Sequence, residues 1–487
     1  MKAVFQRSLK ECLADAPAVD RNAVRKRLFK EYEKFDRKVV VLDDDPTGVQ
    51  TVHDVSVYTD WSMRSILDGF KSPDAMFYIL TNSRSFSQSK TIAVHREITR
   101  RIVEASKQTG REFLIVSRGD STLRGHYPAE IRAIRGELEH TAGLRADGEV
   151  LLPAFLEGGR YTVGDVHYVA DGDVLTPVGQ TEFAKDMTFG YQNSNLRGWV
   201  LEKRGQAKPG AQVKSIPLSM LRAADPSALD LLLTGAGAYQ TVVVNALEDC
   251  DIESFAAALM KAARNGKTYL IRSAATLARV LGRSEKRGLI TPRELLPQDA
   301  AGGGLVIAGS HVRRTTRQLT RLLDAGGVTA IVFDQHLVLD AAAMRAEVNR
   351  VRREMESVLR AGKTAVVYTR RDRLDLHSAD RREELELATA ISDALTELVA
   401  KLTVRPRYII AKGGITSCDI GVKGLKVWKA RVPGQIAPGV PVWRIGAESR
   451  FPGLPYIIFP GNVGDADALL TVVAMLDGYG IYGCKSI

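Results

Sequence analysis

Short apolar, β-branched runs recur along the chain, and most are followed by a segment with helical periodicity. The runs are Val39–Leu42, Val55–Tyr58, Met76–Leu80, Phe113–Val116, Val150–Leu152, Val242–Val244 and Tyr269–Ile271 in the first part. Leu305–Ala308, Ala330–Phe333, Ala365–Tyr368, Tyr408–Ala411 and Ile457–Phe459 follow in the second. They are apolar at consecutive rather than alternate positions, as expected of strands buried on both faces. Periodic segments lie between them, among them Ile92–Lys107, Ile252–Arg264, Val312–Leu323, Ala341–Leu359 and Arg382–Leu402. Strand–helix alternation of this kind predicts an α/β fold, with mainly parallel sheets flanked by helices. Ligands in such sheets bind beyond the carboxyl ends of the strands, so the residues just after each run carry the functional information.

The 487 residues exceed one ordinary core. A Pro- and Gly-containing connector at Thr291–Gly304 marks the main boundary. The expected organisation is a helical extension over residues 1–36, a first domain over 37–295 and a second over 300–487. Residues 157–215, rich in Gly, Asn, Asp and Thr, read as loops and short strands inserted in the first domain.

A hydrophobic content of 45% with 26% charged residues excludes a mainly disordered chain. No apolar run approaches the roughly 18 residues of a membrane span, and the charged first forty residues lack a signal-peptide pattern. Cys12, Cys250, Cys418 and Cys484 are far apart, which argues against a zinc knuckle or a disulfide framework. A soluble cytoplasmic protein is expected, with a homo-oligomer left open. The net charge of +11 is spread over helical segments, as in Arg313, Arg314, Arg317 and Arg321, and reads as solvated helix faces. No nucleic-acid module is recognisable, so neither nucleic acid nor membrane is an expected partner.

Five strand ends stand out. VVVLDDDPTGVQT places Asp43, Asp44 and Asp45 together at the end of an apolar strand, where three like charges call for a cation or a positively charged partner. FLIVSRGDSTLRGH supplies Arg118, Asp120, Ser121, Thr122 and Arg124, of which Arg118 and Arg124 could grip a carboxylate or phosphate. The others are Gly309-Ser310 before a helix, Gly413-Gly414-Ile415-Thr416, and Gly461-Asn462-Val463-Gly464. Three glycine-containing strand ends in one domain fit a nucleotide cradle. GxxxxGK[ST], HExxH and GxSxG are absent. A literal GxGxxG from Gly478 to Gly483 leaves too few residues for a following helix and reads as a chance match.

The order of these motifs resembles the four-carbon acid sugar kinase family, whose members phosphorylate threonate, erythronate or 3-oxo-tetronate with ATP. The family's DDxTGA motif is similar to Asp44–Val49, and its DSTLRG motif is present whole as Asp120–Gly125. Its GR, strand and TEFAxD segments resemble Gly159-Arg160, Gly164–Val169 and Thr181–Asp186. Its Gly-Ser, GGxT and GNxG turns resemble the three glycine turns, so the likeness runs from about residue 38 to the end. Departures are Asp43 for a small residue, His126 for Asn, Ile415 for an acidic residue, and Phe459-Pro460 for a Lys-Ser pair.

The resemblance implies a sugar-acid-binding first domain, an ATP-binding second domain, and an active site in the cleft between them. It implies that Asp45, or else Asp44, orients or deprotonates the attacking hydroxyl. Asp120, Ser121, Thr122 and Arg124 would bind the acid. Ser310, Gly413, Gly414, Ile415, Thr416, Gly461, Asn462 and Gly464 would bind ATP, with Mg²⁺ bridging the β- and γ-phosphates and no protein ligand for it identifiable from the sequence.

Two other readings are open at this point. Asp43-x-Asp45-x-Thr47 also resembles the nucleophile motif of haloacid-dehalogenase-type phosphatases, with Thr81-Asn82 similar to their second motif. Asp43 would then be the nucleophile and Asp45 the acid/base. A non-catalytic protein contacting nucleic acid through its positive charge is the third.

Overall fold

The structure, a computed structural model, describes residues 5–205, 213–235, 239–297, 302–372, 374 and 381–478, without the side chains of 381–385. Cys484 and nearly all of the GxGxxG match lie outside the described residues. The chain divides into two compact units, Met1–Thr51 with Asp60–Glu285, and Val52–Thr59 with Lys286–Ile487. The short segment Val52–Thr59 belongs with the second unit because Val55–Tyr58 pairs antiparallel with Lys429–Val432.

In the first unit a parallel sheet runs in the order Val213–Ile216, Gln240–Val244, Gly148–Leu152, Tyr269–Ser273, Phe113–Arg118, Lys38–Asp43, Met76–Leu80. Every residue of Lys38–Asp43 is buried. Each fully buried Val or Leu there contributes roughly 1.5–3 kcal/mol of hydrophobic stabilisation. After Lys38–Asp43 the sheet continues to one side, through Met76–Leu80, and after Phe113–Arg118 to the other. The gap between their carboxyl ends is therefore a topological switch point.

Helices cover the sheet. Gln88–Thr109 starts at Ser87, whose side chain accepts from the Lys90 N–H, and ends at Gly110 with φ +66°. Its buried stripe includes Val94, His95, Ile98, Ile102 and Val103. The inserted segment folds as antiparallel strands Arg160–Val163, Val166–Asp171 and Val174–Pro177, joined by Arg7–Ser8 from the amino terminus.

The extension is part of the first unit. Its helix Arg21–Lys34 packs on Asp249–Arg264, with ion pairs Arg21–Glu248 at 2.6 Å and Arg264–Glu31 at 3.0 Å.

In the second unit the order is Val55–Tyr58, Lys429–Ala437, Val440–Ile445, Pro455–Phe459, Ile409–Lys412, Leu305–Ala308, Thr364–Thr369, Val328–Phe333. The last five are parallel, and the first three join them through antiparallel pairings. Lys429–Ala437 and Val440–Ile445 escape the apolar-run criterion. The first alternates buried and half-buried residues and carries Pro433-Gly434. One core, including Val306, Ile410, Ile457, Leu319 and Val472, fills the space between this sheet and the helices Arg313–Asp324 and Ala468–Asp477. No described helix is long and apolar enough to cross a membrane.

Candidate functional site

The first site lies at the switch point of the first unit. Asp43 and Arg118 are register partners on neighbouring strands, and the Arg118 guanidinium lies 3.2 Å from the Asp43 carboxylate and 3.8 Å from that of Asp44. Both Asp43 and Arg118 are buried. Burial pushes the Asp43 carboxyl up to about 7, with Arg118 pulling the other way. Arg118 is therefore spent inside the protein and is not the free anion grip expected from the sequence.

Arg84, just after the Met76–Leu80 strand, holds the other two acids. It donates to both oxygens of Asp44, at 2.6 and 3.2 Å, and to Asp45 at 3.0 Å. The cation demanded by the triple Asp is thus supplied by two arginines. Among the described residues no cluster of His, Cys, Asp or Glu could hold a metal ion.

Asp45 is the half-buried member of the three. Its second oxygen accepts from the Thr47 N–H at 2.8 Å and the Thr47 hydroxyl at 2.5 Å. Burial alone would raise its carboxyl, but Arg84 and Thr47 outweigh it and hold the group below the usual range.

The nucleophile role proposed for Asp43 in the phosphatase reading does not fit this geometry. A Cβ at Gly48 would lie 1.9 Å from its carboxylate, so the backbone closes directly over the group. A covalent nucleophile must be reachable and ionised, and Asp43 is covered, paired and shifted toward neutrality.

The DSTLRG segment follows Phe113–Arg118. Asp120 accepts from the Thr122 hydroxyl and, at 2.7 Å, from Arg124 Nε. Burial opposes ionisation of Asp120, yet Arg84 and Arg124 hold it well below the usual carboxylate range. Arg124 also faces Asp186 at 3.8 Å and lies 5.2 Å over the Phe183 ring. Part of the Thr181–Asp186 motif is thereby brought onto the DSTLRG segment. His167 Nε2 donates to the Ser121 carbonyl at 2.7 Å, and Tyr191 donates to the Thr122 carbonyl at 2.6 Å. Arg160 is close enough for its charge to act on Asp120 and Arg124, and its head donates to the Gly158 carbonyl. The Thr122 hydroxyl is already committed to Asp120, leaving Ser121, Arg124 and Arg160 as the better-placed donors.

The second site lies in the second unit, at the carboxyl ends of Leu305–Ala308, Ile409–Lys412 and Pro455–Phe459. A cavity of about 440 Å³ is lined by Ser310, Gly413, Gly414, Ile415, Thr416, Gly461 and Asn462. Gly464 is not in its lining; with φ +81° it turns the chain toward the Ala468–Asp477 helix.

The glycines permit close approach of the turns. Gly413 has φ +122° with the Ser310 Cβ 3.1 Å from where its own Cβ would lie, and a Cβ at Gly461 would sit 2.9 Å from Ser310 Oγ. The opposite wall is apolar, built from Leu387, Ala388, Ile391 and Leu395 of the Arg381–Ala400 helix. The periodicity of Arg382–Leu402 indicated that helix but not its place beside the glycine turns.

Carbonyls of the 460–465 turn are tied back into the protein. Lys412 Nζ donates to Pro460 O at 2.6 Å, Thr315 to Gly461 O at 3.1 Å and Arg314 to Asn462 O at 2.6 Å. Gln318 donates to Val463 O at 3.0 Å and Asp465 O at 2.6 Å. No hydrogen bond from the Gly461 or Asn462 N–H to another described residue is present. A turn with its carbonyls bound and N–H groups unspent has donors left for an anion. Arg314, read from sequence as part of a solvated face, is one of its braces.

Comparison with known proteins finds two family domains in the chain. Residues 39–281 match the family described as "Sugar-binding N-terminal domain", and residues 305–469 match "Nucleotide-binding C-terminal domain". D-threonate kinase of Bordetella bronchiseptica is 26% identical over 451 residues, covering 88% of this chain and 95% of that protein. A Haemophilus influenzae protein of the DUF1537 family shares the fold with a TM-score of 0.63 at 20% identity, over 90% of this chain and 100% of that one. A Salmonella typhimurium LT2 protein does so with a TM-score of 0.64 at 16% identity, over 89% and 98%. With the two domain matches in chain order and DSTLRG intact at its strand end, the chain belongs to the four-carbon acid sugar kinase family.

Proposed function

We propose that the chain transfers the γ-phosphoryl group of ATP to a hydroxyl of a four-carbon sugar acid, with D-threonate the first substrate to test. The observation that carries this reading is Asp45. It is a half-buried carboxylate at a topological switch point, kept ionised by Arg84 and Thr47. Phosphoryl transfer through a loose transition state asks chiefly for alignment and charge neutralisation. A carboxylate of low basicity suits the orienting role, accepting the hydroxyl proton as the new P–O bond forms.

Arg124, with Ser121 and Arg160, would take the substrate carboxylate. The N–H groups of Gly461 and Asn462, with Ser310 and Thr416, would take the phosphates, and the apolar helix wall the base. The reading requires the acceptor and the nucleotide to meet in one reaction volume during turnover. Among the described residues, no carboxylate lines the nucleotide cavity. Mg²⁺ therefore fits best as an ion carried mainly by the phosphates and water, where it would neutralise phosphate charge.

The test is ADP release measured over a panel of four-carbon sugar acids, with matched polyols as controls. ADP release that depends on an acid supports the proposal. No release above background with any acid, together with ATP-independent hydrolysis of a generic phosphoester, would return the phosphatase reading.

A further inference from the structure

Lys412 ends the Ile409–Lys412 strand and is completely buried. Among the described residues its ammonium pairs with no carboxylate; it bonds the Pro460 carbonyl and lies 3.9 Å from the centre of the Phe459 ring. Lys412 and Phe459 are register partners on adjacent parallel strands. A buried lysine without a counter-ion is costly for a fold to keep. This one holds the carbonyl of the peptide that carries the unspent Gly461 N–H.

We propose that Lys412 is a positioning residue for the nucleotide, one that holds the Pro460 carbonyl back so that the Gly461 N–H, on the far side of the same peptide, faces the phosphates, and that takes up a proton when the phosphates arrive. The proposal rests on the kinase reading given above. Lys412 cannot touch the ligand itself, because no part of it reaches the surface. Its effect passes through the turn and through its charge.

Burial pushes the lysine down to about 7, and the Arg314 cation adds to that push. Arg314, from the Arg313–Asp324 helix, is the charged group that acts on it; the flanking strands Leu305–Ala308 and Pro455–Phe459 present none. A polyanion placed at the turn favours the charged form, so its arrival raises the affinity of Lys412 for a proton. Nucleotide binding then strengthens as pH falls from about 8 toward 7.

The test is calorimetric titration of Mg·ATP into the full chain at pH 8, in buffers of unlike ionisation heat. Wild type is expected to take up a measurable fraction of a proton per nucleotide bound, and Lys412→Met none. The variant should also bind ATP about tenfold more weakly, with the KM for the sugar acid unchanged. Wild-type binding with no proton uptake, or unchanged affinity in Lys412→Met, would overturn the proposal while leaving the kinase reading standing. Should the variant fail to fold, the wild-type proton count decides alone. Wild type that binds no ATP sinks both.

Discussion

Replacing Arg84 by Met should damage both stability and the pH dependence of activity. Arg84 makes two hydrogen bonds to Asp44, at 2.6 and 3.2 Å, and one to Asp45 at 3.0 Å. The Asp44 side chain is only 4% exposed, and its other cation, Arg118, stands at 3.8 Å while engaged with Asp43. Removing one partner of a buried pair costs about 3–5 kcal/mol. Arg84 and Asp45 retain side-chain exposures of 22% and 23%, which places this case at the lower end, about 3 kcal/mol. For a unit of this size that corresponds to a fall in Tm of roughly 6–12 °C. Burial is the largest influence on Asp45 and raises its pKa, and Arg84 is the first of the opposing influences. Without it the carboxyl moves up, so the acid limb of kcat should lie at higher pH in Arg84→Met than in wild type. Arg84→Lys should recover only part of the stability, because an ammonium cannot span both oxygens of Asp44. The assays are calorimetric unfolding and an ADP-release pH profile. A variant with unchanged Tm and the wild-type acid limb would refute the reasoning.

Asp45→Asn should lower kcat by about 10²–10⁴ while leaving ATP affinity intact, and loss of ATP binding instead would remove Asp45 from its assigned role. Gly48→Ala sets a methyl 1.9 Å from the Asp43 carboxylate; urea unfolding should show a loss of roughly 1–3 kcal/mol, and an unchanged midpoint would contradict the close packing. His167 is held neutral, pushed down to about 4 chiefly by burial. Its unfolded form binds a proton near pH 6.5, so its stabilising contribution is complete above that pH. It disappears as pH falls from 6.5 to 4, at most about 3 kcal/mol. The stability difference between wild type and His167→Gln should shrink over that window, and a constant difference would argue against a buried neutral His167.

The apolar runs of the sequence mark most sheet strands because those strands are buried on both faces, where the pattern has no alternation to confuse it. Lys429–Ala437 alternates and contains a Pro-Gly step, so it did not stand out. The site was legible where a motif ends a strand, as at Asp45, Asp120 and Gly413. Arg84, Arg118 and Arg314 were harder, since their duties depend on which strands and helices become neighbours. Asp43 and Arg118 are 75 positions apart in the chain yet adjacent in register. The Thr122 hydroxyl is a substrate donor by sequence alone, whereas in the fold it donates to Asp120 two residues earlier.

The amino-terminal helix Arg21–Lys34 has consequences for how the chain is made. Its ion-pair partners Asp230, Glu248 and Arg264 lie 203, 227 and 233 residues further along. That helix therefore has no docking surface on Asp249–Arg264 until those residues, more than 200 positions later, have been synthesised. Contacts of such long sequence separation must overcome loop-closure entropy late, and they slow folding. The first unit is closed by ion pairs between segments more than 200 residues apart in its sequence.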